Sequence, residues 1–113
     1  MAERSDALIH HGGYGSCQTG LCMGKPVVII PTYAERESNA RRIAALGAGA
    51  MVLVEHERGK KRVSVEALRA AVRRVLTDPS IASHAARVGN QLRTYGGAAQ
   101  AARLIERFSE TRR

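Results

Sequence analysis

One stretch limits the possible folds more than any other: Val27-Val28-Ile29-Ile30, β-branched and apolar at every position, entered through Gly24-Lys25-Pro26 and closed by Pro31. A strand on a half-solvated sheet alternates apolar and polar residues, whereas a strand covered on both faces need not. The unbroken run therefore predicts a central strand of a parallel sheet, with helices above and below. Parallel strands need crossover connections, so strand and helix should alternate along the rest of the chain.

They do. Ala7-Leu8-Ile9 predicts a first strand, which ends at His10-His11 and the glycine-rich Gly12-Gly13-Tyr14-Gly15-Ser16, with a short helix through Cys17–Met23 beyond. Glu35–Leu46 predicts a helix stopped by Gly47, and Met51-Val52-Leu53-Val54 a third strand. Glu55–Arg62 reads as a charged loop. Ser64 is a good N-cap for a helix carrying Val65, Leu68, Val72, Val75 and Leu76 on one stripe. Asp78-Pro79 starts the next helix, which runs to about Leu92, and Gly96-Gly97 separates it from a last one. In that last helix Ala101, Leu104, Ile105 and Phe108 predict a core-facing stripe. The fold class is α/β: a partial Rossmann-like domain of three parallel strands with helices on both faces and further C-terminal helices, residues 1–113 forming one domain. Three strands are few for this architecture. The expectation is the back part of a larger α/β domain, or a subunit that needs a partner, and hence self-association or strand exchange by the isolated chain.

Composition narrows the function classes. With 113 residues, 44% of them hydrophobic, the chain suits one globular domain, and no apolar run approaches the ~20 residues of a membrane-spanning helix. The first residues do not form a secretory signal, and two cysteines are too few for a disulfide scaffold, so a cytoplasmic protein is expected. Cys17 and Cys22 lie about 140° apart around a helix, which argues against a bridge or a shared metal. Lys+Arg 18 against Asp+Glu 10 gives +8. Such a charge suits a phosphorylated ligand, an anionic membrane surface (here the inner face of the membrane) or nucleic acid. The positives are scattered and only three tyrosines and one phenylalanine accompany them, so nucleic acid is not the expected partner.

The chemistry is concentrated at His11-Gly12-Gly13-Tyr14-Gly15-Ser16. A strand brings the chain to the carboxyl edge of the sheet, where ligands of open α/β sheets bind. Glycines let backbone N–H groups approach an anion closely, and the following helix adds its positive end and unpaired donors. With the Ser16 hydroxyl and the His11 imidazole, the segment predicts a diphosphate cradle that calls on no metal. It is neither a dinucleotide fingerprint, whose last position is filled here by Gln18, nor a P-loop. His10 and His11, adjacent at a strand end, point to opposite faces and do not form a metal pair. A second constellation, Pro31-Thr32-Tyr33-Ala34-Glu35-Arg36-Glu37-Ser38-Asn39, opens a helix at the same sheet edge. Glu35 can accept from sugar hydroxyls, Arg36 can donate to hydroxyls or phosphates, and Asn39 can cap the helix or orient the loop. Glu37 reads as an ordinary acidic first-turn residue.

At these residues the sequence resembles the donor-binding half of GT-B-fold glycosyltransferases, the nucleotide-sugar families that include antibiotic, lipid and peptidoglycan glycosyltransferases. The matching positions are His11-Gly12-Gly13-x-Gly15-Ser16, Gly24-x-Pro26, the strand to Pro31, Asn39-Ala40, Gly47-x-Gly49, Ser64–Leu76, Asp78-Pro79-Ser80 and Gly96-Gly97. The resemblance implies a transferase that moves a sugar from a nucleotide-diphosphate donor, a UDP-sugar, to an acceptor hydroxyl. It implies that His11 and the amides of Gly12, Gly13, Gly15 and Ser16 hold the diphosphate. Glu35, Arg36 and Asn39 then fall on the sugar side and Thr19 at the ribose. No residue of this stretch matches the family's catalytic base, and neither metal nor cofactor is implied. Thr19 stands where the family usually has glutamate and Arg36 where it has glutamine; a guanidinium there suits an anionic or N-acetylated sugar. The family's acceptor domain has no counterpart in these residues, so the chain alone is expected to be inactive. A non-catalytic subunit docking on a separate acceptor-binding partner, or a piece of a nucleotide-sugar epimerase, are the alternatives.

Overall fold

The computed structural model describes residues 5–95 and 97–111. In chain order these form β1 (Leu8–His10), α1 (Tyr14–Cys22), β2 (Val27–Ile29), α2 (Ala34–Ala45), β3 (Gly49–Met51), β4 (Glu55–Glu57), β5 (Lys60–Arg62), α3 (Val65–Thr77), α4 (Pro79–Arg93) and α5 (Gly97–Thr111). Gly96 and the Arg112-Arg113 pair lie outside the described residues.

β1, β2 and β3 make a parallel sheet in that order, with Ile9 opposite Val28 and Val28 opposite Ala50. The central run behaves as its composition requires: Val28 and Ile29 are 0% and 1% exposed. Their side chains serve opposite faces. Val27 and Ile29 pack with Cys17, Ala40, Ile43, Ala48 and Ala85 under α1, α2 and α4. Val28 packs with Ala50, Val52, Ala71, Val75 and Ile81 under α3 and the start of α4. Ser64 caps α3 by accepting from the Ala67 amide, and Asp78 caps α4 by accepting from Ser80, with Pro79 at its start. Among the described residues no helix is long and apolar enough to cross a membrane.

Three expectations need correcting. The third strand begins at Gly49 rather than Met51. A Cβ on Gly49 would lie 2.3 Å from the Val27 carbonyl, so the bare residue is what allows β3 to close on β2. Glu55–Arg62 is a β-hairpin rather than a loop, β4 pairing antiparallel with β5 through an Arg58-Gly59 turn in which both residues have positive φ, 52° and 77°. That is the turn whose twist suits two-residue hairpins. Finally, α5 is amphipathic but its stripe is not core-facing: Leu104, Ile105 and Phe108 are 53%, 66% and 60% exposed, and no residue of the helix is buried. The same fate meets the ends of the α3 stripe, where Val65 and Leu76 are exposed while Ala71 and Val75 are buried. Because α5 extends from the rest, the radius of gyration is 17.0 Å, against about 13 Å for a compact chain of this length.

Candidate functional site

β1 ends at two histidines that treat the following backbone alike. The Gly12 amide donates to His10 Nδ1 at 3.0 Å, and the Gly13 amide donates to His11 Nδ1 at 3.1 Å. A ring nitrogen that accepts carries no proton, so both imidazoles hold theirs on Nε2. The His10 Nε2 is buried with no partner among the described residues. Burial first, and then the charge of neighbouring His11, hold the His10 pKa below the usual histidine value. His11 is exposed. The amides of Gly12 and Gly13, expected to face a diphosphate, are thus engaged with imidazoles, because the tight turn puts each ring within reach of the amide two residues on.

Gly12 makes the turn possible. Its φ is +89°, and a Cβ there would sit 2.9 Å from the Arg36 carbonyl oxygen and 3.0 Å from an Ile29 methyl. Asn39 secures the turn from α2, its Nδ2 donating to the Gly12 carbonyl at 2.9 Å. Of the two roles open to Asn39 from sequence, orienting the loop is the one this bond serves.

The N-terminus of α1 opens beyond that turn. Gly13 is its N-cap without a side-chain cap, and the first turn contains no acidic residue. The Tyr14, Gly15 and Ser16 amides therefore have no acceptor within the helix and face outward under the helix dipole. Around Gly15 nothing lies within 4 Å of where a Cβ would be. Gly15, Ser16 and Thr19 line one open cleft of about 460 Å³ with Leu8, Ile9 and His10 of β1. Ser16 and Thr19, both exposed, are three residues apart and share one helix face.

α2 begins against the same loop. Arg36 borders Gly12 through its backbone, and its guanidinium donates to Thr32 Oγ1 at 2.5 Å while lying 4.8 Å from the centre of the Tyr33 ring. Glu35 is exposed. Glu37, read from sequence as an ordinary acidic first-turn residue, stands in the first turn of α2 and also pairs with Arg41 at 2.7 Å, one helical turn on. Asn39 and Tyr14 also touch a separate, largely apolar cavity of about 280 Å³ lined by Leu21, Ile43, Leu46 and Leu92 among others.

A helix N-terminus without carboxylates in its first turn, behind a glycine turn at the carboxyl edge of a parallel sheet, is chemically able to accept an anion. Residues 1–105 match the family of erythromycin biosynthesis protein CIII-like C-terminal domains. The chain belongs to that family. It is 35% identical over 99% of its length to the O-mycaminosyltylonolide 6-deoxyallosyltransferase of Streptomyces fradiae, covering 25% of that protein. It is 34% identical over 96% of its length to the NDP-glycosyltransferase YjiC of Bacillus subtilis, covering 26% of it. Among solved structures, the kitacinnamycin glycotransferase superposes with a TM-score of 0.78 at 34% identity, over 94% of this chain and 26% of that one. A Streptomyces sp. SF2575 glycosyltransferase complexed with thymidine diphosphate superposes with a TM-score of 0.73 at 33% identity, over 90% of this chain and 25% of that one. The chain therefore spans about a quarter of the length of these glycosyltransferases, and its fold is that of their GT-B C-terminal domain.

Within this family member, the structure brings His11, Gly12, Gly13, Gly15, Ser16, Thr19, Arg36 and Asn39 to one edge of the sheet. The sequence reading missed Lys61. Its ammonium crosses from β5 to donate to the Thr32 carbonyl at 2.7 Å and lies 4.4 Å from the Tyr33 ring centre. The Arg58-Gly59 pair inside a charged segment was the available signal for the hairpin that carries it.

Proposed function

We propose that this chain is the donor-binding portion of a glycosyltransferase that moves a sugar from a nucleotide-diphosphate sugar to an acceptor hydroxyl. The observation that carries the proposal is the open start of α1, where three amides without helical acceptors and the exposed Ser16 follow the glycine turn, with exposed His11 just before it. These groups would bind the diphosphate and stabilise it as it leaves, when the bond from the anomeric carbon to the phosphate oxygen breaks and negative charge grows on that oxygen. Glu35 and Arg36 would face the transferred sugar, Thr19 the ribose, and Asn39 would keep the loop in place. The neighbour complexed with thymidine diphosphate supports a nucleoside diphosphate here, and the loop described would serve uridine and thymidine donors alike because it addresses phosphates.

Transfer also needs a base for the acceptor hydroxyl, on residues outside those described. The exposed apolar stripe of α5 and the edge of β1, which pairs on one side only among the described residues and where Ile9 is 55% exposed, are surfaces that an acceptor-binding portion would cover, whether joined to this chain or separate. Alone, the chain binds donor and does not transfer. Isothermal calorimetry with thymidine and uridine diphosphates tests the site: saturable binding is expected, weakened about tenfold by His11→Ala, the loss of one charge-assisted hydrogen bond. Absence of binding, or binding indifferent to His11→Ala, contradicts the proposal.

A further inference from the structure

The β4–β5 hairpin contacts the segment between β2 and α2, beside Arg36. Lys61 reaches the turn that leaves β2 and holds it twice, by the Thr32 carbonyl and by the face of Tyr33. Arg36 uses the same two residues, through the Thr32 hydroxyl and the same ring. Two cations from different elements therefore share one threonine and one exposed aromatic. Packing does not fix this turn. Pro31 is buried, but beyond it a cavity of about 180 Å³, lined among others by Thr32, Tyr33, Leu53, His56 and Lys61, separates the turn from the end of β3 and from the hairpin. Thr32 and Tyr33 have room to sag into that space, and Lys61 spans it. The α2 backbone, by contrast, is held by buried Ala40 and Ile43 and by the Asn39 bond to Gly12. Loss of Lys61 would release Thr32, Tyr33 and the Arg36 guanidinium while leaving the glycine turn and the start of α1 in place.

We infer that Lys61 is a positioning residue for the sugar half of the donor site, fixing the direction in which Arg36 is presented without touching the diphosphate. This rests on the donor-binding reading above. Because it acts through Arg36, its signature is a ratio: affinity for a sugar nucleotide divided by affinity for the bare nucleoside diphosphate. Calorimetry on the full chain with thymidine diphosphate and thymidine diphosphate-glucose, and with the uridine pair, measures that ratio. Lys61→Met should lower it about fivefold with nucleoside diphosphate affinity unchanged, and Lys61→Arg, which keeps both the cation and a donor, should restore it. Lys60→Ala, one position along the strand and on its other face, should leave it alone. Thermal unfolding followed by circular dichroism confirms that each variant is folded, and Lys61→Gln replaces Lys61→Met if it is not. A ratio unmoved in Lys61→Met, a ratio near one in the parent chain, or an equal loss for both ligands overturns the inference. Failure of the parent chain to bind either nucleoside diphosphate sinks the donor-binding reading instead, and the two failures are thereby distinguished.

Discussion

Gly15 separates what the fold needs from what the ligand needs. It sits in the first turn of α1, its φ is not among the positive ones, and nothing lies within 4 Å of a Cβ built there. Gly15→Ala therefore meets no clash and no backbone strain. Glycine in a helix costs roughly 0.5–1 kcal/mol relative to alanine, so the variant should be as stable as the parent or more stable by up to about 1 kcal/mol. The same methyl would stand in the open cleft beside the Gly15 and Ser16 amides, keeping an anion from closing on them. An increase of about tenfold in the dissociation constant for thymidine diphosphate, some 1.4 kcal/mol, is the expected result. Urea unfolding by circular dichroism gives the first quantity and calorimetry the second. A variant that is more stable and binds as well as the parent would mean that the empty space around Gly15 has nothing to do with a ligand.

Gly12→Ala should behave in the opposite way: the +89° φ and the 2.9 Å approach to the Arg36 carbonyl cost about 2–4 kcal/mol together, read as a drop in the urea midpoint. The depressed His10 pKa gives a pH dependence with a definite sign. The unfolded chain takes up the proton near 6.5 and the folded one only at lower pH, so stability is full above 6.5 and falls as pH drops through the folded value. Protonation would also put a hydrogen where the Gly12 amide now donates. His10→Gln should flatten that fall when urea midpoints are compared between pH 8 and 5.5. The exposed α5 stripe should make the isolated chain self-associate in light scattering at high concentration, and Leu104→Glu with Ile105→Glu should reduce the association. A monodisperse parent chain would count against that stripe as a docking face.

The parts of the architecture written in local chemistry could be read directly. Val27-Val28-Ile29-Ile30 announced a two-sided environment because no polar residue interrupts it, and the caps at Ser64 and Asp78 announced α3 and α4 because their side chains act within a few residues. The parts that depend on distant partners could not. Periodicity showed that α5 has an apolar stripe around Leu104 and Phe108, but it cannot say whether the matching surface lies among these residues. Gly49 fell between the predicted helix and the predicted strand, since its use is a close approach to Val27 that only the sheet reveals. At the site, the glycine turn and His11 were legible as a motif, whereas the His10 and His11 bonds to their own loop depend on ring orientation. Lys61 was hidden for the same reason as α5: its partner lies 29 positions away.

The central claim is that α1 begins at a nucleoside diphosphate. Titration of the ¹⁵N-labelled chain with thymidine diphosphate, followed amide by amide, tests it directly. Saturable shifts centred on Tyr14, Gly15 and Ser16 are predicted, with a smaller response at Gly12 and Gly13 through the His10 and His11 rings. Shifts centred instead on the apolar cavity around Leu21 and Leu46, or none at ligand concentrations in the millimolar range, would contradict it.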